Sequence, residues 1–182
     1  MKKHVLVICG TSGSGKTTVK EYLVQQKKMI PVLTHTTRTQ RPGESDDAYH
    51  FETQTSFFEK HYLEYVKYDG NYYGSSYEAL QEAFNKGDWA VIVLDTKGAL
   101  SYLEKLPTNT VVLYLQVSDK ECLQQRLLKR GDTLKAVKKR LDSLEAKRDQ
   151  CLPQALASKA YILENDQWQQ TVQKLDEWLA TL

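Results

Sequence analysis

The sequence has few cysteines and no marked excess of either charge. Its three cysteines, Cys9, Cys122 and Cys151, are odd in number and lack metal-site spacing, so we expect buried or free thiols in a reducing cytosol. The 25 Lys and Arg residues against 23 Asp and Glu leave a formal net charge of +2. This balance argues against nucleic-acid or membrane-surface binding, which requires a basic surface.

Long apolar runs, repeats and low-complexity tracts are also missing from the sequence. No run approaches the length of a membrane-spanning helix, and the apolar run near the N-terminus is interrupted too soon for a signal peptide. We therefore expect a cytoplasmic protein. The length suits one α/β domain with a small inserted subdomain, so residues 1–182 are predicted to be a single domain.

Short apolar runs alternate with helical patterns along the chain. Runs typical of buried parallel strands cover residues 4–9, 89–95, 110–117 and 160–163, with 29–33 as a candidate fifth. Helical patterns cover residues 17–27, 76–86, 97–105, 119–129, 133–149 and 167–181. The alternation predicts an α/β fold in which helices flank a parallel sheet and ligands bind at the carboxyl ends of the strands.

Two stretches interrupt this alternation. Residues 34–76 are polar, rich in Thr, Tyr, Asp and His, and alternate at short range, which predicts a small, mainly β insertion. Residues 123–149 carry arginines among many lysines with few apolar residues, which predicts a basic helical hairpin. The core would then consist of residues 1–33, 77–122 and 150–182.

The segment from Gly10 to Thr17 fits the phosphate-loop pattern, with a predicted strand before it and a predicted helix after it. Such a loop turns backbone N–H groups toward a polyphosphate at a helix N-terminus, where the helix dipole favours negative charge. Lys16 can reach the β- and γ-phosphates, and the Thr17 hydroxyl can bind Mg²⁺. A surface turn with a solvated lysine is the disfavoured alternative. The predicted triphosphate-binding residues are Gly10, Thr11, Ser12, Gly13, Ser14, Gly15, Lys16, Thr17 and Thr18.

The insertion contains two further candidate features. Arg38 and Arg41 lie among hydroxyl side chains ahead of a Pro-Gly turn, which is typical of bidentate phosphate recognition, although a solvated loop would look the same. Glu64 lies in an apolar-aromatic run. Its carboxylate could accept hydrogen bonds from the N1–H and N2–H₂ groups of a guanine, or it could be an exposed strand residue.

Taken together, these motifs resemble the guanylate kinases, which transfer the γ-phosphoryl group of ATP to GMP. The resemblance runs nearly end to end. Beyond the phosphate loop, it rests on Thr36, Thr37, Arg38, Arg41, Gly43, Glu44, Tyr49, Phe51, Glu64, residues 71–75, Asp95, Gly98, residues 123–131, Arg140, Leu141, Asn165 and Asp166.

Carried over residue by residue, the resemblance implies an ATP-dependent kinase for GMP and dGMP that uses Mg²⁺, and a monomer or homodimer with no partner but its nucleotides. The implied GMP-binding residues are Thr34, Arg38, Arg41, Tyr49, Glu64, Tyr73, Ser75 and Asp95. The implied catalytic residues are Lys16, Arg38 and the lid arginines Arg126, Arg130 and Arg140, and Asn165 would lie near the adenine.

The sequence departs from the family pattern on the acceptor side. Relatives carry a second acidic residue two positions before the one matching Asp95, where this chain has Val93, and the loop over residues 45–48 is one residue shorter. Two alternatives therefore stay open: a related kinase with another phosphorylated acceptor, and a non-catalytic guanylate-kinase-like binding module. Lys16 and Thr17 disfavour the module, because such modules typically lose the phosphate loop.

Overall fold

A computed structural model describes residues 2–40, 43–46, 48–68, 70–129 and 133–182. Within these ranges the elements follow in this order: β1 (His4–Cys9), α1 (Lys16–Lys27), β2 (Ile30–Pro31), β3 (His35–Thr36), β4 (His50–Phe51), α2 (Gln54–Phe58), β5 (Tyr62–Tyr68), β6 (Asn71–Ser76), α3 (Tyr77–Lys86), β7 (Trp89–Val93), α4 (Thr96–Lys105), β8 (Thr110–Gln116), α5 (Lys120–Lys129), α6 (Leu134–Leu141), α7 (Leu144–Asp149), α8 (Gln154–Ala157), β9 (Ala160–Glu164) and α9 (Trp168–Leu179).

The larger sheet has the strand order β2-β7-β1-β8-β9. Its β2–β7 and β8–β9 pairs are parallel, with Ile30 opposite Ala90 and Val112 opposite Ala160. Strand β1 is buried from Val5 onward, as expected of a strand inside a parallel sheet. The predicted α/β fold with a parallel sheet is therefore confirmed.

The edge strand β2 is shorter than the predicted strand over residues 29–33. Only Ile30 and Pro31 pair in it. Proline has no N–H to donate and is confined to edge strands or bulges, which accounts for both the length and the place of this strand. Among the described residues, no helix is long and apolar enough to cross a membrane.

The chain divides into two compact units. Unit 1 contains Met1–Leu6, Lys20–Ile92 and Leu100–Thr110, and unit 2 contains Val7–Val19, Val93–Ala99 and Val111–Leu182. The polar stretch over residues 34–76 belongs to unit 1. The phosphate loop, the basic stretch over residues 123–149 and the C-terminal helix belong to unit 2.

In unit 1 the polar stretch is mainly β, as predicted. Its four-stranded sheet has the order β4-β3-β6-β5, with antiparallel β3–β6 and β5–β6 pairs. Helix α2 begins with a capping box between Thr53 and Ser56 and buries Phe57. Helix α3 begins at Ser76, whose side chain accepts a hydrogen bond from the Ala79 N–H.

In unit 2 the helix predicted over residues 133–149 is wrong as a single element. The structure has two helices there, α6 and α7, and the chain is extended at Ser143 (φ −63°, ψ 152°) between them. The Ser143 hydroxyl accepts a 3.1 Å hydrogen bond from the Ala146 N–H, so this serine starts a new helix. Serine often caps helices because its oxygen competes for backbone N–H groups.

Candidate active site

Three glycines give the phosphate loop its shape. Gly10, Gly13 and Gly15 have φ angles of 128°, 87° and 97°, a region that favours glycine. A Cβ atom on Gly10 would overlap the Leu115 carbonyl oxygen, and one on Gly15 would overlap the Asn165 amide nitrogen. Glycine is therefore required at both positions by backbone conformation and by close approach.

The same loop contains two buried side-chain hydroxyl groups. Thr11 and Ser14 are 4% and 0% exposed, and their side-chain oxygens have no hydrogen-bond partner within the described part of the chain. An unpaired buried polar group costs about 1–3 kcal/mol. Hydroxyl donors ahead of the N-terminus of α1 suit an anionic ligand such as a polyphosphate.

Lys16 is the first residue of helix α1, and its side chain lies against the loop that precedes the helix. Its ammonium group donates to the carbonyl oxygens of Gly10 (2.7 Å) and Thr11 (2.8 Å). The next two residues, Thr17 and Thr18, are exposed in the first turn of α1. The structure thus brings a cation, two exposed hydroxyl side chains and the end of a helix to one loop.

Asn165, which follows β9, is bonded to the phosphate loop. Its amide donates to the Ser14 carbonyl at 2.7 Å, and its side-chain oxygen accepts from the Thr171 hydroxyl at 2.9 Å. Arg126 of α5 donates to the main-chain carbonyls of Asn165 (2.6 Å) and Asp166 (3.1 Å). Asn165 therefore supports the loop, and its place near an adenine stays a prediction.

Asp95 lies just after the carboxyl end of β7, in unit 2. One carboxylate oxygen accepts from the Gly98 N–H at 2.7 Å, which caps helix α4, and the other accepts from Arg148 at 2.7 Å. Arg148 also contacts Asp149. The sequence motifs did not predict the Arg148–Asp149 pair, although adjacent opposite charges at the end of a predicted helix are a visible signal.

Arg38 in unit 1 forms a bidentate ion pair with Glu44. Its two terminal nitrogens donate to the Glu44 carboxylate at 3.0 and 2.7 Å, and its guanidinium lies 5.5 Å from the centre of the Tyr49 ring. Hydrogen bonding to Glu44 raises the pKa of Arg38 above its ordinary value. Tyr73 is near Tyr49, at 6.2 Å between ring centres. Three of the predicted GMP-binding residues therefore lie together.

Glu64 and Ser75 are opposite each other in the β5–β6 pair. Directly opposed residues of an antiparallel pair share one face of the sheet. Ser75 is fully buried, and its hydroxyl bonds to that of Tyr102 on α4. Tyr102 was not predicted, because a tyrosine in an amphipathic helix looks like core packing and its hydroxyl partner lies 27 residues away.

A buried histidine connects the start of this sheet to helix α3. His35 contacts the Glu52 carboxylate through Nδ1 and the Ser76 hydroxyl through Nε2, each at 2.8 Å, and it stacks on His50. Burial lowers the pKa of His35, and the hydrogen bond that His35 makes to the Glu52 carboxylate opposes this effect only in part.

The predicted residues thus fall into two groups. Arg41 and Arg130 lie outside the described residues, as does the side chain of Arg140. Unit 1 holds Thr34, Arg38, Tyr49, Glu64, Tyr73 and Ser75, and unit 2 holds the phosphate loop, Asp95, Arg126 and Asn165. Thr34 is half-buried, and its carbonyl accepts the His50 N–H at 2.9 Å.

A protein-family model described as guanylate kinase matches residues 2–182. The chain belongs to the guanylate kinase family. A relative named guanylate kinase from Alkalilimnicola ehrlichii is 31% identical, over 96% of this chain and 87% of its own. A relative of the same name from Streptococcus pneumoniae is 33% identical, over 90% of this chain and 79% of its own length. One from Thermotoga maritima is 36% identical over 72% of this chain, which spans 66% of that relative's length.

The fold is likewise that of a solved guanylate kinase. A crystal structure of guanylate kinase from Anaplasma phagocytophilum matches 99% of this chain and 85% of its own, with a TM-score of 0.66. At 18% identity this likeness concerns the fold alone. Together the comparisons confirm the family and the fold class that the sequence motifs predicted.

Proposed function

We propose that this protein is an ATP-dependent guanylate kinase, which transfers the γ-phosphoryl group of ATP to GMP or dGMP. The main support for this proposal is the phosphate loop. Within the described structure, the loop combines glycines at positive φ, buried hydroxyls without a hydrogen-bond partner, and a lysine. This loop belongs to a chain of the guanylate kinase family. The proposed location is the cytoplasm, and a monomer or homodimer stays a prediction.

On the donor side, the loop would hold the ATP phosphates. Backbone N–H groups and the hydroxyls of Thr11 and Ser14 would donate to phosphate oxygens. The Lys16 ammonium, which now contacts two loop carbonyls, would exchange at least one of them for a phosphate oxygen. Phosphoryl transfer has a loose transition state, so catalysis consists mainly of positioning and neutralising charge.

Thr17 is the residue proposed to hold Mg²⁺. Among the described residues, no group of three His, Cys, Asp or Glu side chains could hold a metal ion, while the Thr17 hydroxyl is exposed at the start of α1. This donor set fits Mg²⁺, which keeps several waters and binds substrate phosphates with few protein ligands. When bound, Mg²⁺ would neutralise charge on the β- and γ-phosphates.

On the acceptor side, residues 34–76 would bind GMP. Arg38, with Tyr49 and Tyr73 beside it, would bind the phosphate through its planar guanidinium. Glu64 would accept hydrogen bonds from the guanine edge. No general base is needed, because the GMP phosphate oxygen is already an anionic nucleophile.

The lid over residues 123–149 would supply further positive charge. Arg126, Arg130 and Arg140 are proposed to stabilise charge on the phosphates during transfer. Arg126 is held by the carbonyls of Asn165 and Asp166, close to the bonded Asn165–Ser14 pair. Closure of the lid would exclude water that otherwise hydrolyses ATP.

The deciding experiment measures ADP release from ATP and Mg²⁺ with GMP, dGMP, AMP, UMP or a ribose bisphosphate as acceptor. We expect turnover with GMP and dGMP alone. Turnover with a different acceptor would support a related kinase. No turnover with any acceptor, despite measurable ATP binding, would overturn the proposal in favour of a binding module.

Two pairs of variants separate the donor and acceptor roles. Lys16→Ala should abolish transfer, whereas Lys86→Ala, an exposed lysine on α3, should not. Glu64→Ala should raise the KM for GMP and relax base selectivity, whereas Glu104→Ala, exposed on α4, should change neither. Unaltered GMP kinetics in Glu64→Ala would contradict the assignment of the guanine site.

A further inference from the structure

Four side chains of unit 2 form a connected polar cluster where helix α4 begins. Asp95 and Thr96 come from the start of α4, and Arg148 and Asp149 come from the end of α7. We call this group the Arg148 cluster. It joins the last turn of the basic lid segment to the carboxyl end of β7, where ligands bind in parallel α/β sheets.

Arg148 bridges the two carboxylates of the cluster. Its Nε and Nη2 donate to separate oxygens of Asp149, at 2.9 and 3.2 Å, and Nη2 also donates to Asp95 at 2.7 Å. These bonds and the two negative charges raise the pKa of Arg148 above its ordinary value. Only a planar, multiply donating guanidinium fits such a bridge.

Asp149 is the most buried carboxylate of the cluster, and its oxygens already accept several hydrogen bonds within the protein. It is 7% exposed, and its Oδ1 also accepts from the Thr96 hydroxyl at 2.6 Å and the Thr96 N–H at 3.3 Å. The hydroxyl of Tyr114 on β8 donates to the Asp149 main-chain carbonyl at 2.8 Å. Asp149 is therefore fixed on both its side chain and its backbone.

Asp95 is the more exposed carboxylate, with 27% of its side chain accessible against 10% for Asp149. Both carboxylates act on Cys9, the last residue of β1, directly before the phosphate loop. Burial raises the pKa of the Cys9 thiol to about 12, with Asp149 and Asp95 acting in the same direction and Lys16 opposing them. The N–H of Leu94, next to Asp95, donates to the carbonyl of Ile8, next to Cys9, at 3.0 Å, so the cluster begins beside the strand that leads into the phosphate loop.

We infer that Arg148, oriented by Asp149, is a positioning residue that sets the direction of Asp95 and offsets the negative charge around it for phosphoryl transfer. The inference rests on the proposed function. With Arg148 in place, two carboxylates share one guanidinium and the local charge is −1. Without it the local charge is −2 beside a loop that must accept a polyphosphate, and Asp95 loses the hydrogen bond from Arg148.

The test compares Arg148→Met with Lys147→Met, which removes an exposed cation from the same helix. We expect Arg148→Met to lower kcat/KM by about tenfold to a hundredfold, the range expected for one charge-assisted hydrogen bond. The kcat/KM of Lys147→Met should stay within about twofold of the wild-type value, because loss of a hydrogen bond would cause a larger change. Arg148→Lys should recover only part of the loss, because an ammonium cannot reproduce the bridge.

Combining Arg148→Met with Asp95→Asn separates positioning from plain stability. If Arg148 acts through Asp95, adding Arg148→Met to Asp95→Asn should change kcat/KM by less than about threefold. It should still lower Tm in both backgrounds, because the bonds between Arg148 and Asp149 are lost in each. An equal rate loss in both backgrounds would overturn the inference. Should Arg148→Met fail to fold, Arg148→Lys is compared in the same two backgrounds and read in the same way.

The wild-type rate with GMP is measured first, so that the two proposals fail differently. Absence of wild-type turnover with any acceptor overturns the proposed function and this inference with it. Wild-type turnover together with equal kcat/KM values for Arg148→Met and Lys147→Met overturns the inference alone.

Discussion

The side-chain amide of Asn165 donates a 2.7 Å hydrogen bond to the carbonyl of Ser14, 151 residues earlier in the chain. The same amide nitrogen occupies the space that a Gly15 side chain would need. Asn165 is itself held by Thr171 and, through its backbone, by Arg126. The shape of the phosphate loop therefore depends on a residue from the other end of the sequence.

Asn165→Ala should weaken ATP binding by about tenfold, because it removes a buried hydrogen bond worth about 1–2 kcal/mol and leaves the Ser14 carbonyl unpaired. GMP binding should be unchanged. Titration with a non-hydrolysable ATP analogue measures the effect, and Asn85→Ala, an exposed asparagine on α3, is the control. ATP affinity equal to that of the control would contradict the supporting role of Asn165.

Gly15→Ala should abolish ATP binding. The new methyl group would overlap Asn165, and the φ of 97° is unfavourable for alanine. Gly70→Ala is a matched control: its φ is 80°, but nothing described lies within 4 Å of the added Cβ. Both variants therefore carry the backbone penalty, and only Gly15→Ala carries the overlap. Calorimetric titration with ATP should separate them, and retained binding in Gly15→Ala would refute the close approach.

Tyr102→Phe removes only the hydroxyl that bonds to Ser75. Because both groups are buried, the variant should lose about 1–2 kcal/mol of unfolding free energy, measured by urea denaturation. Since Ser75 lies opposite Glu64, selectivity for GMP over AMP should also fall. Tyr161→Phe, on a half-buried tyrosine stacked against Trp178, is the control. Unchanged stability and selectivity would show that the Ser75–Tyr102 bond contributes to neither.

Acidification should destabilise the protein through His35. Burial lowers the pKa of His35 in the folded state, so below about pH 6.5, the ordinary histidine value, the unfolded chain takes up a proton that the folded chain resists. The free energy of unfolding should therefore fall as pH drops through that value toward the folded pKa, and it should level off above it.

The measurement for His35 is urea denaturation from pH 5 to 8 of the wild type, His35→Gln and His61→Gln. His61 is exposed, with 83% of its side chain accessible. His35→Gln should lose part of the pH dependence, and His61→Gln should keep that part. An identical pH profile in wild type and His35→Gln would rule out His35 as its source.

Local signals explain what could be predicted. The glycines and lysine of the phosphate loop are consecutive in sequence, and a strand and a helix flank them, so backbone conformation alone indicates their role. The parallel strands followed from short apolar runs. The boundary between α6 and α7 could not be predicted from charge patterning, because a single serine cap at Ser143 interrupts a pattern that is otherwise helical.

The amino-acid sequence by itself determined the family, the phosphate loop and the residues proposed to meet each nucleotide, because those features are short motifs with fixed spacing. Only the tertiary structure decided which partners hold those residues. The Asn165 amide, the Tyr102 hydroxyl and the Arg148 bridge each join positions 27 or more residues apart. Such contacts depend on how strands and helices pack, and no local pattern encodes them.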